Sequence, residues 1–198
     1  MLRPNLAQDA PPTRLSVGGV DFDINVDYRV WIGVLNDLRE IILSPSTPEH
    51  ALRNATIIMQ IETAVFGRLI DAQVADVLKA ITEFSHGYPE APVGDGDANR
   101  AQTYSFDYDL NYIILAIRNQ FGVDLSYRRN KPFHWWMFLL YFRALSGSHY
   151  ILKLMEIRGY TGDDKELRKQ ARRFALPIVR TANDDANEAE LKDIFYNC

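Results

Sequence analysis

The feature that most constrains this chain is KPFHWWMFLLYFRAL, residues 131 to 145. Of the 13 residues from Phe133 to Leu145, only His134 and Arg143 are not apolar. A helix that is apolar all round has no face for water and must be buried. The run is shorter than the ~18 apolar residues of a membrane span, and Arg143 interrupts it. Pro132 suits a first helical turn, where its missing N–H is no loss. Trp135 and Trp136 would then point about 100° apart and serve two different interfaces. Each would bury on the order of 200 Å². The stretch therefore reads as a central helix packed on both sides. The sharper alternative, an aromatic cage for a quaternary ammonium group, has less to support it than a core. His134, at the start of the helix, is expected to be hydrogen-bonded rather than to bind metal. His50, His86 and His149 show no ligand spacing such as HExxH.

Such a helix needs a core around it, and 198 residues with 47% hydrophobic and 24% charged side chains can supply one. The expected architecture is mainly α, a compact helical domain with a small N-terminal β-hairpin. Residues 1–13 read as a flexible lead and 14–198 as a single domain. The net charge of −4 argues against a dedicated nucleic-acid binder. The one cysteine, Cys198, excludes an intramolecular disulfide and a cysteine-based zinc site, and fits a reducing compartment. MLRPNLAQDAPPT has no apolar signal core, so a cytoplasmic protein with no membrane partner is expected. The sequon Asn54-Ala55-Thr56 is discounted for the same reason.

Along the chain, Leu15 and Val17, then Val20, Phe22 and Ile24, alternate around Gly18-Gly19, a hairpin signal. Asp27 is placed to cap a helix carrying Val30, Trp31, Val34, Leu35, Leu38, Ile41 and Ile42 at helical spacing. Pro45 stops it, and Ser46 with Glu49 forms a capping box for the next helix. Residues 56 to 70 are apolar without a clean period. From Asp71, Val74, Val77, Leu78, Ile81 and Phe84 mark an amphipathic helix. SHGYPEAPVGDGDANRAQT, 85 to 103, is a long loop of the functional or disordered kind. Asp107 is expected to cap a helix with Leu110, Ile113, Ile114, Ile117 and Phe121 on one face. Gly147 closes the apolar helix, and Ser148 opens another that ends at Gly159. Residues 163–175 and 184–196 read as two polar amphipathic helices.

No constellation in the sequence carries catalysis. Asp95, Asp97 and Asn99 open like a calcium loop, but Arg100 and Phe106 stand where glycine and glutamate are required. No GK[ST] follows Gly94-Asp95-Gly96, and there is no GxSxG. The pairs Asp107/Asp109 and Asp163/Asp164 fit helix starts, where carboxylates meet the positive dipole end. No cofactor and no metal is expected, and the chain reads as a non-enzyme. Charge says more. From Lys153 to Arg173 there are seven bases (Lys153, Arg158, Lys165, Arg168, Lys169, Arg172, Arg173) against four acids, and from Asn183 to Cys198 five acids against one lysine. Two solvated faces that attract each other explain this most simply. The functional reading makes Lys165, Arg168, Lys169, Arg172 and Arg173 a face for an acidic partner. Nucleic acid fits less well, because no aromatic pattern interleaves the bases.

FDYDLNYIILAIRNQFGVDLSYRRNKPFHWWMFLLYFRAL resembles the core signature of the bacteriophage gene-product-fifteen family. The matching elements are Phe106 to Asp109, Gly122, Asp124-Leu125 and His134-Trp135-Trp136. Ile24-Asn25-Val26-Asp27-Tyr28-Arg29 stands where the family tends to read INTDFR. The likeness spans about residues 15 to 160. Met137 replaces a frequent lysine, and the 85–103 loop and the C-terminal extension look particular to this chain. The resemblance implies a tail assembly chaperone of long, non-contractile tails, working in the host cytoplasm. Such a protein coats the tape-measure protein and is displaced as tail-tube subunits polymerise. It implies self-association and helix-in-groove binding, and no catalysis. A structural virion protein of the phage neck or tail is the alternative.

Overall fold

The computed structural model describes residues 10–44, 47–88, 102–126 and 131–177. In chain order these form β1 (Arg14–Val17), β2 (Val20–Asp23), α1 (Tyr28–Leu43), α2 (Pro48–Phe66), α3 (Val74–Ser85), α4 (Phe106–Phe121), α5 (Trp135–Arg143), α6 (Tyr150–Arg158) and α7 (Lys165–Phe174). The protein is mainly α with a two-stranded antiparallel hairpin, as its periodicities indicate. Two compact units divide the described residues. One comprises 10–88 and 131–139, the other 102–126 and 140–177, so the boundary falls inside α5.

In the first unit the hairpin pairs Leu15 with Phe22 and Val17 with Val20. Gly18 and Gly19 take φ of 59° and 85°, the left-handed backbone that a two-residue turn between twisted strands requires. Asp27 caps α1 as expected, accepting the Arg29 N–H. Trp31, Val34, Leu35 and Leu38 form the buried face of that helix. The apolar stretch at 56–70 resolves into α2, whose buried line is Ile57, Ile61 and Val65, four residues apart. Its interior β-branched residues blur the period, because Thr56 and Thr63 face outward and their hydroxyls donate back to Leu52 and Met59 carbonyls. Thr47, not Ser46, is the N-cap, with Pro48 in the first turn. Ser46 and Pro45 lie outside the described residues. The carboxylate of Glu62, itself buried, accepts the Ile70 N–H and ties down the turn after α2. That turn occupies Asp71, so α3 starts later than expected, at Val74.

The apolar stretch at 131–145 is a helix only from Trp135 to Arg143. Pro132 therefore precedes the helix rather than lying in its first turn. The reason is a backbone bridge. The Tyr28 N–H donates to Phe133 O at 2.9 Å and the Trp135 N–H to Val26 O at 2.7 Å, pairing Asp27 with His134 in extended chain. The two tryptophans do not part company as their angular separation suggests. Trp135 donates its indole N–H to Ser85 O at 2.7 Å, and Trp136 donates to Phe84 O at 2.9 Å. Both reach carbonyls in the last turn of α3, where Phe84 O also accepts the Gly87 N–H at 3.2 Å. Phe84 sits 4.4 Å from Trp31 and 5.2 Å from Trp136 between ring centroids, and Tyr28 stacks on Phe138 at 4.7 Å. Trp31, Trp135 and Phe138 are wholly buried, as a core helix requires.

The second unit is built on α4, the remainder of α5, α6 and α7. Its α4 is capped by Ser105, whose hydroxyl accepts the Asp107 N–H, so Asp107 lies in the first turn instead of capping it. His149, not Ser148, is the N-cap of α6, and Gly159 ends that helix as expected. The segments 89–101, 127–130 and 178–198 lie outside the described residues. They hold most of the 85–103 loop, the calcium-like Asp95–Asn99 run, the expected helix at 184–196 and Cys198.

Candidate functional site

Two places could carry function by sequence, the His-Trp-Trp run and the basic run. His134 accepts the Trp136 N–H on Nδ1 at 3.1 Å and is 2.9 Å through Nε2 from Pro12 O. With Nδ1 accepting, Nε2 carries the proton and donates to that carbonyl. Burial pushes the ring's pKa below the ordinary histidine value, against a smaller opposing effect of the Pro12 bond. This is the satisfied histidine the sequence suggested. Among the described residues, no three His, Cys, Asp or Glu side chains converge as a metal site would need. Asp27, across the bridge, is pulled two ways. Burial raises its pKa, but the Arg29 side chain and backbone N–H hold it below the usual carboxylate range. Arg29 reaches both oxygens, Nε to Oδ1 at 2.8 Å and Nη2 to Oδ2 at 2.6 Å.

The basic run sorts into one buried arginine and an exposed row. Arg158 closes α6, and its side chain is nearly inaccessible, as is that of Asp109. It donates Nη1 to Asp109 Oδ2 at 2.6 Å and Nη2 to Oδ1 at 3.1 Å, a two-pronged pair. Nη1 also donates to Thr103 O at 3.0 Å and Nε to Phe174 O at 2.8 Å. Asp109 Oδ2 accepts the Ser105 N–H as well. One guanidinium thus holds the start of α4, the segment before it and the last turn of α7. Arg158 therefore belongs to the fold and not to a solvated basic face. Asp109 is more than a favourable charge at a helix start. The sequence held a signal for this pair, because Asp109 falls on the same face as Phe106, Ile113, Ala116 and Ile117, all buried. A carboxylate on such a face requires a buried cation.

The exposed row is α7. Asp164 caps it, accepting the Glu166 and Leu167 N–H groups at 2.8 and 2.9 Å. Glu166 lies in its first turn and Arg172 and Arg173 in its last, so both ends match the helix dipole. Ala171 and Phe174 are half-buried, and none of the helix is fully buried. On the outward side, Lys165, Arg168, Lys169 and Arg172 follow at i, i+3, i+4 and i+7, one face of a helix. Together they line a shallow depression. Arg168 is held by Asp163 and by Gly162 O. Arg173 departs from the row, its guanidinium 5.7 Å from the Phe174 ring. Lys165, Lys169 and Arg172 form no ion pair among the described residues. Four of the five bases singled out by sequence are thus brought together, with Arg173 beside them.

The family model for the Bacteriophage Gp15 protein matches residues 12–176. The chain belongs to that family. The match covers both units, including the bridge at Asp27 and His134, the Asp109–Arg158 pair and all of α7. No curated relative and no solved structure matches the chain. Among the described residues, no helix is long and apolar enough to cross a membrane.

Proposed function

We propose that this Gp15-family protein is a non-catalytic assembly factor of the long phage tail, working in the host cytoplasm. In this reading it binds the tape-measure protein through the basic face of α7 and is displaced when tail-tube subunits polymerise. The observation that carries the reading is the row Lys165, Lys169 and Arg172, exposed on a well-capped helix and without an ion pair among the described residues. Three cations at i, i+4 and i+7 suit an acidic stripe on a second long helix. Each contact is weak in water and screened by salt. Affinity would come from repetition along a long partner, which suits a coat that must later be removed. Family membership supports a phage role of this kind.

The test is a pull-down of tagged protein from cells producing the phage, with finished particles assayed beside it. Tape-measure or tail-tube protein in the pull-down, and none of this chain in the particle, is the expected result. Stoichiometric presence in the particle would instead make it a structural protein of the neck or tail.

A further inference from the structure

The second unit exposes apolar side chains in a line. Tyr108, Tyr112 and Leu115 on α4 are 61%, 43% and 53% exposed, and Tyr150 on α6 is 52% exposed. The α4 residues recur at i, i+4 and i+7, on a stripe roughly 120° around the helix from the buried face of Asp109, Ile113, Ala116 and Ile117. Tyr150 lies edge-on to Tyr112 at 4.9 Å and widens the line into a patch. The exposed area of these four side chains is on the order of 450 Å², at the size where patches on monomers become functional. Tyrosine is a favoured anchor of interfaces, because it supplies a rigid apolar body with a polar tip.

The charges flanking this line identify what covers it. Asp107 and Arg118 are both exposed and lie roughly three turns apart, within about 20° of each other around the helix axis. One acid thus stands at the N-terminal end of a flank and one base at its C-terminal end, with Asn111 between them. When two copies of α4 run antiparallel about a two-fold axis, residues on a given flank meet that same flank of the partner in reversed order. Asp107 of each copy then faces Arg118 of the other, twice per dimer, while Tyr112 lies near the axis. A parallel two-fold pairing would put the two charged flanks on opposite sides of the helix pair and bring no Asp107 to an Arg118.

We infer that the Tyr108–Tyr112–Leu115 face of α4, with Tyr150, is a two-fold interface for a second copy of this chain, its register set by Asp107 meeting Arg118. The patch is smaller than the ~800 Å² per partner of a standard interface. The dimer is accordingly reversible and depends on concentration. Arg118 lies 3.9 Å from Asp124 in its own chain, a long and exposed contact that the partner's Asp107 displaces. The inference stands on the second unit alone and does not depend on the tape-measure reading. If both hold, each dimer presents two basic rows to one long partner.

Sedimentation equilibrium of the full chain from about 1 to about 500 µM is the experiment. The wild type should move from one chain mass toward two. Asp107→Arg and Arg118→Asp should each weaken association at least ~10-fold, since each places like charges together twice. The decisive arm is an equimolar mixture of these two variants. In the mixed dimer both contacts again join an arginine to an aspartate, so association should return to within about threefold of wild type. Circular dichroism establishes that each variant is folded. Tyr112→Ser and Leu115→Ser, both at exposed positions, should also weaken association about 10-fold, and they serve where a charge variant does not fold. A wild type that stays monomeric throughout overturns the inference. So does a mixture of folded variants that stays monomeric, or a dimer indifferent to Tyr112→Ser and Leu115→Ser. A patch that binds only the apolar face of another protein's helix would give the first of these results.

Discussion

Helix ends leave carbonyls without helical partners, and in each unit of this protein a side-chain donor from elsewhere in the sequence reaches carbonyls in the last turn of a helix. In the first unit the donors are neutral, Trp135 and Trp136 reaching Ser85 O and Phe84 O. In the second the donor is charged, Arg158 reaching Phe174 O. The difference lies in what each donor demands of its surroundings. An indole brings a large apolar body that stabilises wherever it is buried, and its single N–H is satisfied by one carbonyl. A guanidinium brings five N–H groups and a charge that cannot be neutralised by losing a proton. Its burial is tolerable only with Asp109 opposite and carbonyls from Thr103 and Phe174 beside it. The first solution tolerates imperfection. The second holds more segments together from one residue, but fails as a whole.

Removing one member of each cap tests this contrast. Asp109→Ala leaves Arg158 buried without its counter-charge and should cost about 3–5 kcal/mol. Trp136→Ala removes an anchored ring from a packed core and should also cost about 3–5 kcal/mol. Denaturant unfolding would record both losses, and the rescue pattern separates them. Adding Arg158→Met to the Asp109 variant removes the stranded charge and should recover much of the loss. Trp136→Phe keeps most of the apolar contact with Phe84 and Tyr88 and loses the bond to Phe84 O, so about 1–2 kcal/mol is expected. If Arg158→Met makes the Asp109 variant worse, the pair acts as a packing element and the contrast between the two caps collapses.

The tryptophan region was far more legible in sequence than the arginine clamp. An unbroken apolar run announces burial whatever its partners, so the core role of Trp135 and Phe138 followed from composition alone. What that run could not disclose was its neighbour. Residues 26–28 draw residues 133–135 into a backbone bridge, which shortens the helix and turns both indoles toward the end of α3. That pairing spans more than 100 residues, beyond the reach of any local periodicity. Asp109 and Arg158 each have an innocent local reading, an acid in a first turn and a base in a last turn. The apolar face around Asp109 signals that a buried cation is needed, but the identity of that cation, Arg158, emerges only from their meeting across 49 residues. The α7 row was legible because surface charge at helical spacing depends on nothing distant. The apolar line on α4 is not legible in the same way, because residue type does not separate Tyr108, Tyr112 and Leu115 from the buried apolar residues of the same helix. Exposure, not type, distinguishes them.

The first unit carries a pH dependence that sharpens the comparison. Burial lowers the His134 pKa below its ordinary value near 6.5. The ring is therefore neutral when folded and gains a proton more easily when unfolded. Its contribution is complete above about pH 6.5, and is lost as pH falls from there toward the folded pKa. Protonation also removes the Nδ1 acceptor that holds the Trp136 N–H. Thermal melts at pH 7.5 and pH 5.5 should show this loss, with a slope no steeper than about 1.4 kcal/mol per pH unit for one proton. Asp27 is also held low, so its own loss belongs to a more acid window, below about pH 4. His134→Gln should flatten the first window and leave the second. An unchanged slope between pH 7.5 and 5.5 would remove His134 from the account.

The smallest effect on stability should come from the largest concentration of charge. Among the described residues the side chains of Lys169 and Arg172 make no hydrogen bond or ion pair, and both are exposed on a helix whose ends are already well capped. Replacing both with glutamate should change unfolding free energy by no more than about 0.5 kcal/mol. It should also weaken binding to an acidic helical partner at least ~10-fold at low salt and flatten the salt dependence that remains. Arg158, of the same chemical type and one helix earlier, should behave in the opposite way under substitution, with a large change in stability. A partner affinity unmoved by the double reversal at low salt would mean that α7 is only a solvated face. A large loss of stability would mean that Lys169 and Arg172 hold a segment outside the described residues. Either result would remove the division between a buried arginine that builds the second unit and an exposed row that is left for a partner.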